Sequence, residues 1–431
     1  MDKIGIFICN YNKADMVVKC VEASIKQSYK YTDIYVIDNA STDDSVKRLE
    51  STFENKISIV KNKENMGGSG GFGRAIRMAV ESDYGYFMLL DNDAFLDSDA
   101  LKELYEYMSI NKDVGICGAK ILNLQQSEYI QDYGGRIDRN TYQWGGIWGG
   151  SHDDDIDICM DVDYVASCAL LARTDAVREF GFFPEENFIY WDDIEWSTKC
   201  RLCGYRVVVN GRAKAFHNKA FDTPKNLFLR YYATRNRLRF FSKYLSRDKM
   251  DNFYEVVTRD IFTRFFCAEY KGMNGTAKTY RNAFEDFVHG ITGKAEEGKI
   301  HQYNEGENTL LPIISKSKEC IIDESGQGFE QLRWTINYID SLADNTNIIV
   351  KKFDDAKLGD GTIYIKLCAH ITSVEKNVFP AIYIDKYMNH ICSNDEYLRI
   401  KEFPKLLKVF QNSYKESFME EAERLFIREI I

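Results

Sequence analysis

The stretch Tyr86-Phe87-Met88-Leu89-Leu90-Asp91-Asn92-Asp93-Ala94 is an apolar run that stops at two carboxylates one residue apart. Such a run predicts a buried strand feeding a loop. Two acids at the mouth of a strand are costly unless they meet water or hold a cation. Asp-x-Asp offers the hard oxygen ligands that suit Mg²⁺ or Mn²⁺ bridging a diphosphate. A solvated loop is the alternative for the same residues, and the surrounding chain has to separate the two.

Upstream, Ile4 to Cys9 predicts a strand ending at Asn10-Tyr11-Asn12, and residues 14–27 carry helical spacing. Ile34 to Ile37 predicts a second strand ending at Asp38. A helix over Ser45 to Phe53 follows, with Thr42 or Asp43 as its cap, and then a third strand at Ile57 to Val60. This β-α-β-α-β order predicts an α/β domain with a mostly parallel central sheet flanked by helices. Ligands in such sheets sit beyond the carboxyl ends of the strands. Asn10, Asp38 and Asp91 all fall at such ends, where the Asp38 carboxylate could accept from an N–H of a base.

Asn65-Met66-Gly67-Gly68-Ser69-Gly70-Gly71-Phe72-Gly73-Arg74 is expected to precede a helix over Ala75 to Val80. Five glycines in seven positions allow close backbone approach, and the helix start offers free N–H groups to an anion. The stretch lacks the Gly-Lys-Ser/Thr of a phosphate-binding P-loop, and a flexible connector remains the alternative. Residues 98–110 predict a helix with a core-facing stripe, and Val114 to Gly118 a strand. Gly145, Gly146, Gly149 and Gly150 interleave with Trp144 and Trp148, which suits an aromatic platform for a sugar ring or a tight hairpin with one Trp buried. The run His152-Asp153-Asp154-Asp155 is expected to be a solvated loop. Val162 to Leu171 predicts a strand with small residues at its centre.

A second acidic cluster, Trp191-Asp192-Asp193-Ile194-Glu195, leads into a helix stopped by Gly204. Asp192 and Glu195 have capping-box spacing, and Glu195 can pair with Lys199 one turn on. Asp193 is left over beside a Trp at the edge of an apolar segment, where a carboxylate can act as a general base. Cys200 and Cys203 lack a second ligand pair, so neither zinc nor redox chemistry is expected of them. After a strand at Val207 to Val209 comes His217, a candidate third ligand for a metal at Asp91 and Asp93.

Bulk properties narrow the choices. The chain has 431 residues, enough for two or three domains, and 45% hydrophobic content. A net charge of −10 argues against a general nucleic-acid binder. Eleven scattered cysteines, with no secretory signal, fit reduced thiols in the cytoplasm. No apolar stretch is long enough to cross a bilayer, so any membrane contact is expected to be peripheral.

Taken in order, Ile8-Cys9-Asn10-Tyr11-Asn12, Val36 to Ser41, Asn65-Met66-Gly67-Gly68, Leu89 to Asp93, Trp191 to Glu195 and His217 resemble the family 2 glycosyltransferases of GT-A fold over residues 3–240. The Asn65 to Arg74 segment is similar to the galactofuranosyl branch, and the subgroup resembles bacterial galactofuranosyl- and rhamnosyltransferases. The resemblance implies metal ligands at Asp91, Asp93 and His217, with Mn²⁺ or Mg²⁺ as cofactor. It implies a catalytic base at Asp193, and donor contacts from Asn10, Asn12, Asp38, Asn65, Gly67, Gly68, Arg74 and Asn92. Trp191 and Asp192 would line the acceptor side, joined by Trp148 of the aromatic platform. The expected partners are a UDP- or dTDP-linked sugar and a saccharide or lipid-linked acceptor, with no nucleic acid. Related galactofuranosyl polymerases carry bulky aromatics where this chain has Val165-Ala166-Ser167-Cys168, and Asn92 replaces a third acid; both departures bear on the acceptor and the sugar.

The expected division is a catalytic domain at 1–222, a helical, basic and aromatic segment at 223–305, and a small α/β domain at 306–431. Lys225 to Lys249 carries eight Lys/Arg and interleaved aromatics, which suits either an anionic lipid surface or a helix laid on the catalytic domain. In the last segment Gly326-x-Gly328 is too short to signal a nucleotide site, and docking, acceptor binding or assembly into a homo-oligomer are open to it. A sugar-phosphate nucleotidyltransferase and a non-catalytic nucleotide-sugar binding module are the competing functions.

Overall fold

The computed structural model describes residues 2–154, 156–218, 225–317, 319–323, 329–342, 347–351, 361–374, 381–385 and 387–427. Two compact units are formed. One comprises Met1–Val256, Asn282–Lys299 and Ser417–Ile431, and the other Val257–Arg281 and Ile300–Glu416.

In the first unit the chain runs β1 (Ile4–Asn10), α1 (Ala14–Ile25), β2 (Thr32–Asp38), α2 (Ser45–Phe53), β3 (Ser58–Lys61), α3 (Gly67–Glu81) and β4 (Tyr86–Asp91). It continues with β5 (Ala94–Leu96), α4 (Ala100–Ile110), β6 (Val114–Asn123), β7 (Ile130–Asp132), β8 (Gly135–Asp138), β9 (Gln143–Gly146), β10 (Cys159–Asp161) and β11 (Ala169–Arg173). Then come α5 (Thr174–Phe180), α6 (Asp192–Leu202), β12 (Arg206–His217) and α7 (Leu227–Tyr244). The main sheet has the order β10-β12-β6-β11-β4-β1-β2-β3. β3, β2, β1 and β4 are mutually parallel, as are β6 and β12, and β11 sits antiparallel between β4 and β6. The fold is the α/β, GT-A type expected, with one reversed strand at its centre.

The apolar run of β4 is buried throughout, Phe87, Met88, Leu89 and Leu90 being inaccessible to solvent, because core lies on both faces of the sheet. Trp196 of α6 is fully buried against Phe87, Phe180 and Phe183, and its indole N–H donates to the Gly181 carbonyl at 2.9 Å. Trp196→Ala is expected to cost about 3–5 kcal/mol of stability, read as a lower urea midpoint of unfolding.

Four local expectations are corrected. The glycines from Gly67 to Gly73 do not precede the helix; they form its first two turns. A Cβ on Gly71 would meet Cys9 Sγ, and one on Gly73 would meet Glu185, so the run lets α3 press onto β1 and the 185–188 segment. The strand expected over Val162 to Leu171 is confined to β11; Ala166 and Ser167 lie in the approach to it. The His152–Asp155 run is not wholly solvated: Asp153 is buried, accepting from Lys120 at 2.6 Å and Lys214 at 3.1 Å. Glu195 does not pair with Lys199, which donates to the Phe182 carbonyl instead.

The second unit holds a five-stranded sheet. Its strands are β13 (Glu319–Asp323), β14 (Asn347–Lys351), β15 (Thr362–Cys368), β16 (Ala381–Asp385) and β17 (His390–Ile391), in the order β14-β13-β15-β16-β17. All neighbours are parallel except β17, and the helix Phe329–Leu342 accompanies them. The core is aliphatic, with Leu310, Ile314, Ile322, Ile339, Ile365 and Ile384. Gly326 and Gly328 lie outside the described residues. Among the described residues no helix is long and apolar enough to cross a membrane.

Candidate active site

Parallel pairing sets the ends of β1, β2 and β4 side by side, with Asn10 opposite Asp38 and Cys9 opposite Asp91. The chain then turns through Asn92-Asp93 into β5, and β12 returns alongside with His217 opposite Ala94. That pairing carries the imidazole to the two acids. His217 Nε2 lies 3.3 Å from Asp93 Oδ1 and 3.8 Å from Asp91 Oδ2. One ligand atom from each of Asp91, Asp93 and His217 falls within 4.8 Å of the other two. The Lys13 ammonium is seated on Asp93 Oδ2 at 2.5 Å, so the cluster already holds one cation.

Electrostatics agree with that geometry. Burial pushes the Asp91 carboxyl up to about 6 against the pull of His217, with Asp93 adding to the rise. Burial works the same way on Asp93, but the hydrogen bonds from His217 and Lys13, with the Lys13 charge, outweigh it and hold its carboxyl below the usual range. Two oxygen donors and one imidazole form a set that fits Mg²⁺ or Mn²⁺.

A relay of side-chain amides crosses the same strand ends. Asn92 Nδ2 donates to Asn10 Oδ1 at 2.8 Å, and Asn10 Nδ2 donates to Asp38 Oδ1 at 2.9 Å. Asp38 Oδ2 accepts from the Ser41 amide at 3.0 Å. A carboxylate has about four lone-pair sites, so Asp38 retains capacity for a further donor. Asn12, exposed at φ 49°, accepts from the Thr42 amide at 2.7 Å and tethers the loop after β1 to the loop after β2.

The remaining donor-side candidates sit around α3. Asn65 Oδ1 accepts from the Gly67 amide at 2.8 Å. Gly67 has φ +73° and lies against the Phe188 carbonyl, where any side chain would clash; Gly68 is open except for Ile189. Arg74 points away from the diacid, donating to the Lys61 carbonyl and to Asn62 at the end of β3. Asn39 went unnoticed in the sequence. It is buried and binds Asn62, Asn65 and the Gly67 carbonyl, fixing the start of α3. Its signal was the recurrence of asparagine at 39, 62 and 65.

Asp192 and Asp193 open α6 but are treated differently. Asp192 is buried and accepts from the Ser69 hydroxyl of α3 at 2.6 Å. Asp193 accepts from the amides of Ile194 and Ser167. Burial, then the neighbouring charge of Asp192, raises its carboxyl to about 8. The next residue, Cys168, accepts from the Asp91 amide at 3.1 Å, so the dipeptide Ser167-Cys168 ties Asp193 to the end of β4.

The segment before Asp192 is strained. Phe188, Tyr190 and Trp191 all have positive φ, at 67°, 65° and 65°, which costs about 1–3 kcal/mol per residue. α7 holds it there. Asn236 Nδ2 lies 3.0, 2.8 and 3.0 Å from the carbonyls of Asn187, Ile189 and Tyr190. Arg235 donates to the Asn187 carbonyl at 3.1 Å, and Lys243 reaches Glu186 and Glu195 at 2.8 Å each. Trp191 is packed on Phe240 and Phe241 rather than turned to solvent. Asn236→Ala strips partners from buried carbonyls and is expected to cost about 1–3 kcal/mol, with faster amide exchange across 187–191.

The basic face expected of 225–249 therefore faces inward at Arg235, Arg237, Arg239 and Lys243, all buried, while Lys225, Arg247 and Lys249 are exposed. Trp148 is half-buried against Tyr133, with ring centroids 4.9 Å apart. The exposed indole of that hairpin is Trp144, edge-on to Tyr164. All eleven cysteines are free thiols, Cys200 buried and Cys203 exposed.

Residues 5–146 match the family model described as glycosyl transferase family 2. An uncharacterized glycosyltransferase of Haemophilus influenzae is 22% identical over 240 residues, 52% of this chain and 71% of that one. Galactofuranosyltransferase GlfT2 of Mycobacterium tuberculosis is 24% identical over 196 residues, 42% of this chain and 31% of that one. The O-antigen chain rhamnosyltransferase WbaN of Salmonella anatum is 23% identical over 211 residues, 48% of this chain and 63% of that one. The matched region thus spans less than a third of GlfT2 and under two thirds of WbaN.

Proposed function

For a chain that belongs to the family 2 glycosyltransferases, we propose a metal-dependent, inverting transfer of a sugar from a nucleotide diphosphate to a saccharide or lipid-linked saccharide. Galactofuranose or rhamnose, carried on UDP or dTDP, is the donor sugar proposed, in keeping with the names of the relatives. The observation that supports the assignment is the joining of Asp193 to the diacid through Ser167-Cys168, which ties a carboxylate of raised proton affinity to a group of side chains able to hold a metal ion.

Asp91, Asp93 and His217 would hold the divalent ion, whose contribution is Lewis-acid neutralisation of the leaving diphosphate. Asp38 accepts the base N–H, while Asn10, itself held by the Asn92 amide, donates to that carboxylate. Asp193 accepts the proton of the acceptor hydroxyl as that oxygen attacks the anomeric carbon from the face opposite the diphosphate. The C–O bond to the acceptor forms as the bond to the diphosphate breaks, and the single displacement inverts the anomeric centre. Asp192, held by Ser69, keeps the start of α6 against α3 and the acceptor side in register.

The test is a thermal-shift panel of UDP-galactofuranose, UDP-galactose, UDP-glucose and dTDP-rhamnose with and without Mn²⁺, followed by product analysis with the stabilising donor. Stabilisation by one donor only when Mn²⁺ is present is the expected result. Stabilisation without any transfer to saccharide acceptors would leave a binding module and no transferase.

A further inference from the structure

Gln131 is the residue that strand pairing leaves over. Ile121 of β6 pairs with Asp132 and Leu122 pairs with Ile130, so β7 carries one extra residue at that step. A bulge of this kind re-aims a side chain, and here it sends the Gln131 amide to His217, with Nε2 at 2.8 Å from Nδ1. The opposite ring nitrogen is the one that faces Asp91 and Asp93. Gln131 Oε1 is buried and has no hydrogen-bond partner among the described residues.

A neutral imidazole has one N–H and one lone pair. With the amide nitrogen against Nδ1, the ring proton sits on Nε2 and points at the carboxylates. A cation bound through Nε2 requires the other tautomer, in which Nδ1–H donates. Turning the Gln131 amide over brings its partnerless Oε1 to accept that proton.

We propose that Gln131 is a positioning residue that sets the tautomer of His217: one face of its amide serves the cation-free cluster, and the other frees Nε2 to bind a divalent metal. The inference rests on the assignment of Asp91, Asp93 and His217 as metal ligands. Its test is Mn²⁺ titration of the full chain by calorimetry, for wild type, Gln131→Leu and Gln131→Glu. Loss of a partner to a metal-bound histidine weakens affinity by about 10–100-fold, and that is expected of Gln131→Leu; Gln131→Glu, which can only accept, should bind at least as tightly as wild type. With diamagnetic Mg²⁺, long-range ¹H–¹⁵N correlation should show the His217 proton moving to Nδ1 in wild type. If wild type binds no Mn²⁺, the metal assignment itself fails. If wild type binds and Gln131→Leu binds equally, the metal site stands and the role of Gln131 is overturned. Should Gln131→Leu not fold, a weaker Gln131→Glu, or a proton remaining on Nε2 in wild type, overturns it as well.

Discussion

Asp193→Asn is expected to lower kcat by about 10²–10⁴-fold, the range a positioned general base contributes, while donor affinity stays near wild type. Asn keeps the shape of Asp193 and an oxygen that can accept from the Ile194 amide, so the start of α6 should hold. What is lost is the site for the acceptor's proton. The pH profile provides a second readout. The Asp193 carboxyl is raised to about 8 in the metal-free chain, and a base works only when deprotonated. Activity of wild type should therefore climb with pH toward that value, moved lower to the extent that a bound dication favours the carboxylate. The residual activity of Asp193→Asn should lack that limb. An unchanged kcat, or an unchanged acid limb in the variant, would remove Asp193 from the chemistry and point to another acceptor of the proton.

Much of the candidate site is legible in the sequence, and the parts that are not share a cause. The strand ends at Asn10, Asp38 and Asp91 could be placed because each follows an apolar run whose type and length are local properties. The glycines at 67–73 could not be recognised as helix, since glycine is a poor helix former and the reason for them is contact with Cys9 and Glu185, far off in sequence. Local spacing sets Asp192 apart as a candidate cap and leaves Asp193 over, but the contacts that hold them come from far off: the Ser69 hydroxyl, 123 residues away, for Asp192 and the Ser167 amide for Asp193. Asp153 looked solvated because its partner Lys120 lies 33 residues upstream. β12 looked shorter because its pairing with β6 shifts register between Asn210 and Lys214, and only past that irregularity does His217 arrive at the diacid. Local pattern locates the acids, and long-range packing decides what each one touches.

Chelation of divalent metal should abolish transfer, and Mn²⁺ should restore it. Neutralising the leaving diphosphate is worth several kcal/mol, so the loss should be about 10²–10⁴-fold in rate. Asp93→Asn should reproduce that loss and also lower Mn²⁺ affinity, because Asp93 is the less exposed of the two carboxylates and makes the shorter contact to His217. The Lys13 ammonium makes this a discriminating experiment. It already neutralises Asp93 at 2.5 Å, so a cluster that never takes a metal could use lysine as its resident cation. The two cases part on a single comparison. A metal enzyme loses activity on chelation and regains it in proportion to added Mn²⁺, with a Mn²⁺-dependent rise in Tm that Asp93→Asn lacks. A lysine-based site is indifferent to chelator and loses activity in Lys13→Met with no rescue by Mn²⁺. Chelator-insensitive turnover together with an inactive Lys13→Met would therefore discard the metal at Asp91, Asp93 and His217 while leaving Asp193 as the base untouched.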